Sequence, residues 1–263
     1  MFDTTLFESK LATSWLGRSF SFFEELPSTN SLAKKREGDN SMHGTLILTD
    51  YQSGGRGQYD RKWTVDPGKN LTFSIIFEPK NADRLNLLTL ACALAVQESL
   101  EEIAGIQGKI KWPNDILIAN KKICGILTET VFIGNRLDRV VVGIGLNVAQ
   151  TQFPGQMAEK ATSVCLESNE AISREELLAH LLQRIEYKYR QWTHQSKELV
   201  KEVNGLMRGV GKWCDIEING DVLEEKYKFL GVNESGEFLA MKKDLDVQKY
   251  TYQQIRVLED PST

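Results

Sequence analysis

Between residues 54 and 57 the chain reads Gly-Gly-Arg-Gly, three glycines in four positions, and this turn limits the possible folds more than any other stretch. Compact apolar runs lie on either side, Thr45 to Tyr51 and Leu71 to Phe77, rich in the β-branched and aromatic residues that fill buried strands. A glycine-rich loop is therefore slung between two strands. Its backbone can approach a ligand closely and reach dihedrals that other residues resist. Arg56 and Arg61 add planar cationic forks suited to phosphate or carboxylate. The spacing matches neither the P-loop nor the Gly-x-Gly-x-x-Gly turn of dinucleotide folds, so another way of holding an anion is needed.

Around this loop the pattern is α+β. Phe20 to Leu26 predicts a strand, and Pro27-Ser28-Thr29-Asn30 supplies capping side chains for a short helix through Leu32 and Arg36. Leu85 to Ile103 has helical apolar spacing and stops at Gly105. Strands follow at Lys109 to Trp112, Ile116 to Ile118, Ile123 to Phe132 and Val140 to Asn147, with Asn120-Lys121 predicted as a hairpin turn. Ser173-Arg174-Glu175-Glu176 is a capping box, and Leu177 to Trp192 carries one apolar face behind it. Beyond Gly209 the texture changes to short strands and turns, among them Asn219-Gly220. The expected architecture is a mixed, largely antiparallel sheet packed with helices over 1–210, and a small β-barrel over 211–263.

Composition narrows the function. An apolar fraction of 41% supports a sizeable core, and no run of eighteen apolar residues or basic-then-apolar start predicts a membrane span or a leader, so the expectation is a soluble cytoplasmic protein. Four cysteines at 92, 124, 165 and 214 lie far apart and read as buried free thiols. Three histidines show no ligand spacing, which argues against a transition-metal centre. A net charge of -4 disfavours nonspecific nucleic-acid binding.

The ordered motifs Ser28-Thr29-Asn30, Tyr51-Gln52, Gly55-Arg56-Gly57, Arg61-Lys62-Trp63, Lys111-Trp112-Pro113-Asn114-Asp115, Lys122 with Gly125, and Gly143-Ile144-Gly145-Leu146-Asn147 resemble those of biotin-protein ligases along nearly the whole chain. The resemblance implies a catalytic domain of the biotin/lipoate ligase type, related to class II aminoacyl-tRNA synthetases, and a C-terminal Src-homology-type barrel. It implies that biotin and ATP, with Mg²⁺, give biotinyl-adenylate, and that a lysine of a biotin carboxyl carrier domain, as in acetyl-CoA carboxylase, then takes the acyl group. By similarity Ser28, Thr29, Asn30 and Gln52 hold the biotin head, with Gly55, Arg56, Gly57, Gln58, Lys122 and Gly125 around it. Arg56, Arg61, Trp63, Lys111, Asn114, Asp115 and Asn147 hold the nucleotide. Lys122 and Arg56 neutralise charge in the first step, and Asp115 assists the second and is the candidate Mg²⁺ ligand. Strand alternation alone does not choose between Lys121 and Lys122; the resemblance selects Lys122. Ser28 to Asn30 equally suit helix capping, Trp63 suits a core, and Asn147 a strand-ending turn.

Two positions depart from the family's usual Gly-Arg-Gly-Arg-x-Gly loop. Gln58 replaces the second arginine and Asp60 the last glycine, so the loop carries less positive charge and weaker retention of the adenylate is expected. About twenty residues precede the first strand, too few for the DNA-binding domain of repressor members, so no DNA partner is expected. Lipoate-protein ligase is the alternative, disfavoured by the Gly55-Arg56-Gly57 loop and the Lys111 to Asp115 motif. A homodimer through a sheet edge is compatible with the sequence.

Overall fold

The computed structural model describes residues 1–35, 41–58, 62–80 and 82–258. In chain order the first part holds α1 (Thr4–Lys10), β1 (Phe20–Leu26), α2 (Thr29–Lys35), β2 (Leu46–Gln52), β3 (Leu71–Phe77), α3 (Leu85–Ala104), β4 (Lys109–Lys111), β5 (Asp115–Ile118), β6 (Lys121–Ile133) and β7 (Arg136–Leu146). Then come α4 (Met157–Lys160), α5 (Val164–Glu167), α6 (Arg174–His194) and α7 (Ser196–Leu206). The last part is β8 (Trp213–Ile218), β9 (Asp221–Val222), β10 (Tyr227–Val232), β11 (Phe238–Met241), β12 (Val247–Tyr250) and β13 (Arg256–Leu258).

Seven strands make one sheet in the order β1-β2-β3-β7-β6-β5-β4, antiparallel except for the parallel β1–β2 pair. Alternation gives its two faces different characters. On one, Phe73, Ile75, Val142, Ile144 and Ile126 are buried in the large apolar cluster with Leu90 and Leu94 of α3 and Leu178 and Leu182 of α6. On the other, Thr72, Ser74, Gly143 and Gly145 line up through the β3–β7 register. The same face of β6 carries Gly125 and Leu127, paired with Gly145 and Gly143. A face of small and polar residues cannot pack a helix as tightly as the apolar one does; α2 covers part of it, packing Ala33 on Ile47, Ile76 and Val141.

Local chemistry sets the helix ends. Gly105 closes α3 at φ 65°, a left-handed cap that glycine adopts without strain. Ser173 caps α6 by accepting from the Glu176 backbone N–H. The hairpin between β5 and β6 turns at Ala119-Asn120, both at positive φ (44° and 73°), rather than at Asn120-Lys121, and Lys121 is already in the strand. Helix α7, lying between α6 and the second sheet, has no counterpart in the sequence reading.

The C-terminal strands form an antiparallel sheet of order β12-β11-β10-β8-β13 with β9 on β8. The expected small barrel is a curled half-barrel, bent at a bulge between Phe229 and Gly231 where Gly231 takes φ 106°. Asn204 of α7 fastens it, accepting from the Val232 N–H and donating to the Val232 carbonyl. Phe229 and Phe238 stack at 4.0 Å, and Trp112 packs on Phe238 at 5.2 Å. Among the described residues no helix is long and apolar enough to cross a membrane. Cys92, Cys124 and Cys214 are the buried thiols expected; Cys165 is exposed, a correction that follows from its place on the short surface helix α5.

Candidate active site

The polar face of the central sheet is the floor of a cleft of about 820 Å³, a size that suits a small-molecule site. Ser28, Thr29, Asn30, Gln52, Arg56, Gly57, Gln58, Trp63, Lys111, Asn114, Asp115, Lys122 and Gly125 all line it, so residues spread over about a hundred positions converge. Gly55 and Asn147 do not line the cleft. Asn147 is buried and its amide donates to the Thr162 carbonyl at 2.9 Å, which anchors the segment after α4. Arg61 and Asp60 lie outside the described residues.

At one end the start of α2 meets the ends of β2 and β3. The Thr29 backbone N–H and hydroxyl both donate to Gln52 Oε1, at 2.8 and 3.1 Å. Ser74 Oγ stands 2.6 Å from both Thr29 Oγ1 and Asn30 Oδ1. Asn30 Nδ2 donates to the Leu127 carbonyl and to Glu129 Oε2. The Ser28, Thr29, Asn30, Gln52 and Ser74 side chains are buried, and capping explains little of the arrangement of the first three, of which Ser28 Oγ alone accepts from a helical N–H, that of Ser31 at 3.4 Å.

Beside the cleft, Arg56 is bridged to Lys62 and the Trp63 N–H donates to the Gly55 carbonyl. This lays the Trp63 indole against the sheet at Gly145, where a Cβ would meet the ring at 2.4 Å. Trp63 Nε1 is buried with no hydrogen-bond partner, an unspent donor beside the cleft. The Arg56 guanidinium donates to Ser31 Oγ at 3.1 Å and lies 3.3 Å from Glu129 Oε2.

A bulge settles which lysine faces inward. β5 pairs Asp115 with Gly125 and Ile116 with Cys124, but Leu117 with Lys122, so Ile123 is an extra residue on β6. Residues 122 and 125 would lie on opposite faces of a regular strand; the extra residue puts them on the same one. Lys121 is exposed, while Lys122 reaches back over Gly125, where a Cβ would stand 2.8 Å from both Cε and Nζ. Gly125 thus clears space for the lysine itself. Lys122 Nζ lies 2.6 Å from Asp115 Oδ1, an ion pair at an angle that makes no hydrogen bond, and 5.7 Å from the Trp63 ring centroid. Asp115 is presented by the Trp112-Pro113 cis turn, which Asn114 fastens by donating from Nδ2 to the Ile126 carbonyl at 2.6 Å.

Glu129 and Ser74 were missed in the sequence, and Gly143, though part of a quoted motif, was given no role there. Burial pushes the Glu129 carboxyl up, but hydrogen bonds from Lys34 and Asn30 and the charges of Lys34 and Arg56 outweigh this and hold it below its ordinary value. Counting by twos from Gly125 through Leu127 would have placed Glu129 on the cleft face, had that face been known to be functional. Ser74, with Thr72, is a buried polar residue in a strand whose other members are apolar, the kind of exception that marks a site.

Chemically, the cleft offers a polar pocket with donors and acceptors at one end, with the Arg56 cation beside it at Ser31 and Glu129. Elsewhere on the same floor stands Lys122, beside the Trp63 indole and the Asp115 carboxylate. Among the described residues no group of three or more His, Cys, Asp and Glu side chains is placed to hold a metal.

The family model of the biotin/lipoate A/B protein ligases matches residues 22–147, the stretch that carries most of the cleft. The bifunctional ligase/repressor BirA of Bacillus subtilis is 39% identical over 188 residues, which are 70% of this chain and 58% of that protein. The biotin--[acetyl-CoA-carboxylase] ligase of Mycobacterium tuberculosis is 29% identical over 73% of this chain and 72% of its own length. The chain spans 58% of the length of the first curated relatives it matches. Among solved structures, the biotin protein ligase from Aquifex aeolicus in complex with biotin and ATP is similar with a TM-score of 0.81 at 28% identity, over 92% of this chain and 100% of that one.

Proposed function

We propose that the chain is a member of the biotin/lipoate A/B protein ligase family, whose model matches residues 22–147, and that it is an ATP-dependent biotin-protein ligase. Biotin's carboxylate attacks the α-phosphorus of ATP and pyrophosphate leaves. The amine of a carrier-domain lysine then attacks the acyl carbonyl of the biotinyl-adenylate, forming an amide as AMP departs. The observation that carries this reading is the meeting, on one sheet face, of the Ser28-Thr29-Asn30 turn with the glycine-arginine loop and with Lys122, turned inward by its bulge.

In the first step two anions meet. Lys122 and Arg56 supply fixed positive charge where negative charge accumulates, in a cleft whose walls screen less than water. The pocket of Ser28, Thr29, Asn30, Gln52 and Ser74 orients the ureido ring, which needs both donors and acceptors. Trp63 flanks the adenine, with Lys111 and Asn114 at the nucleotide side. In the second step the incoming amine must lose a proton from a pKa near ~10.4, and Asp115 is the carboxylate at hand to take it. Mg²⁺ would be carried mainly by the phosphates, and Asp115, whose carboxylate is paired with Lys122, is the residue that would help hold it. When bound, it withdraws negative charge from the phosphates.

In this reading residues 1–210 carry the reaction and 211–263 flank the cleft, where Ile255 to Leu258 form part of its wall. The acceptor is a biotin carboxyl carrier domain of a biotin-dependent carboxylase, and the setting is the cytoplasm, where such carboxylases use ATP.

The test supplies the protein with Mg²⁺, ATP and either biotin or lipoate. It follows pyrophosphate release and the mass of an apo carrier domain. Biotin-dependent transfer is expected, and Lys122→Ala should lower pyrophosphate release by roughly a hundred- to a thousandfold, the cost of removing one transition-state charge interaction. Preference for lipoate would overturn the substrate; full activity of the variant would remove Lys122 from the mechanism.

A further inference from the structure

The Glu129 carboxylate stands on the cleft face of β6 among three donors, two from α2 and one from the glycine-arginine loop. Lys34 Nζ of α2 is bound to Oε1, and Asn30 Nδ2 of the same helix donates to Oε2 at 2.9 Å. Arg56 Nη2, from the loop, lies 3.3 Å from that same Oε2. These contacts are unequal. Lys34 and Asn30 bind closely and are half-buried or buried, whereas the Arg56 side chain is 45% exposed and makes its contact at the long end of hydrogen-bonding distance. An exposed ion pair of this kind is weak, and a neighbouring lysine that already balances the carboxylate weakens it further.

Arg56 therefore rests on an internal carboxylate at the mouth of a site built to receive a carboxylate and a phosphate. Building on the proposed ligase reading, the geometry points to Glu129 as a positioning residue with two separable duties. It fixes the Asn30 amide, with Nδ2 on the carboxylate and Oδ1 on Ser74. It also gives Arg56 a resting partner from which an incoming ligand anion takes the guanidinium over. The exchange swaps one ion pair for another, so Arg56 is placed at the cleft before a ligand arrives and yet is not committed there.

Glu129→Gln separates the duties, because with the partly exposed Lys34 turned to solvent the one amide oxygen can still accept from Asn30, while the charge that holds Arg56 is gone. Glu129→Ala removes both. Two measurements read them: trypsin cleavage after Arg56 in the unliganded protein, followed by mass spectrometry, and biotin affinity by calorimetry without ATP. Thermal melting checks that each variant is folded. For Glu129→Gln, cleavage is expected to rise about two- to fivefold, the range an exposed ion pair spans, with biotin affinity rising by a similar factor because the guanidinium no longer leaves a carboxylate to meet the ligand. For Glu129→Ala, cleavage should rise equally and biotin affinity fall by up to about tenfold, since the Asn30 amide keeps only the Leu127 carbonyl as its acceptor. Unchanged cleavage in both variants overturns the resting-partner role, and equal loss of biotin affinity in both overturns the separation of duties. The cleavage measurement needs no biotin, so a wild-type protein that failed to bind biotin would refute the ligase reading and leave this one standing or falling by itself.

Discussion

Gly143 lies under the Asn30 amide, and a Cβ built there would come within 2.2 Å of Asn30 Oδ1. No real Cβ sits so close, so Gly143→Ala must push Asn30 off Ser74 and out of its pocket. Because the position is in a regular strand, with no positive φ, the strain falls on the site rather than on the backbone. Biotin affinity measured by calorimetry is expected to drop by at least about tenfold, as when a buried polar group is left without its hydrogen-bond partner. Gly145 and Gly125 obey the same logic toward Trp63 and Lys122. The resemblance had flagged all three glycines; what each makes room for is visible only with the neighbouring strand in place.

At the level of elements, α6 shows how a helix remote from the cleft holds the molecule together. Glu186 on its buried side accepts from the backbone N–H groups of Ser14, Trp15 and Leu16 at 2.9 to 3.0 Å, fastening the segment that leads into β1. Burial pushes this carboxyl up, but the three backbone hydrogen bonds overcome that and hold it below its ordinary value of 4.5. A depressed carboxyl contributes stability that is fully present above the unfolded-state pKa and is lost as pH falls through the lower folded value. Glu186→Gln should cost about 2 kcal/mol at neutral pH, the scale of hydrogen bonds to a charged group, and should flatten the decline in stability below about pH 4.5. Denaturant unfolding of both proteins across pH 3 to 7 checks both parts. The bulge in β6 belongs to this scale as well: one extra residue at Ile123 decides which lysine the site receives.

Across the whole molecule, one apolar cluster runs from Phe7 and Leu182 to Trp112, Phe229 and Phe238, so the two sheets share a core. The change of texture near residue 210 marks a change of sheet. Within this core Lys188 of α6 has a side chain only 3% exposed, paired with Glu98 of α3 and Glu202 of α7. The lysine draws three helices together. Removing it leaves two carboxylates facing each other, and Lys188→Ala is expected to destabilise by about 3 kcal/mol, the lower end for breaking a buried pair, since Glu202 is 38% exposed and can turn to water. The measurement is a urea melt; a loss below about 0.5 kcal/mol, the scale of surface substitutions, would show the triad to be solvated.

The chain by itself determined what local rules control. The strands of the large sheet and the long helices α3 and α6 followed from apolar periodicity, the Ser173 cap and the Gly105 stop from backbone hydrogen-bonding needs, and the cleft loop from its glycines and arginine; the short helices α1, α4 and α5, with α7 and β12, did not. The order of the motifs brought the family resemblance with it. Tertiary structure decided what depends on register and on neighbours far along the chain. The inward turn of Lys122 rests on one unpaired residue in β6, which no alternation rule reveals. Glu129 joined the site because Asn30, Arg56 and Lys34, from 73 to 99 positions away, meet it across the sheet. Asn147 turned from the cleft because the Thr162 carbonyl offered its amide a buried partner. A sequence carries its periodicities openly, but a pairing between strands is fixed only when the whole sheet has closed around it.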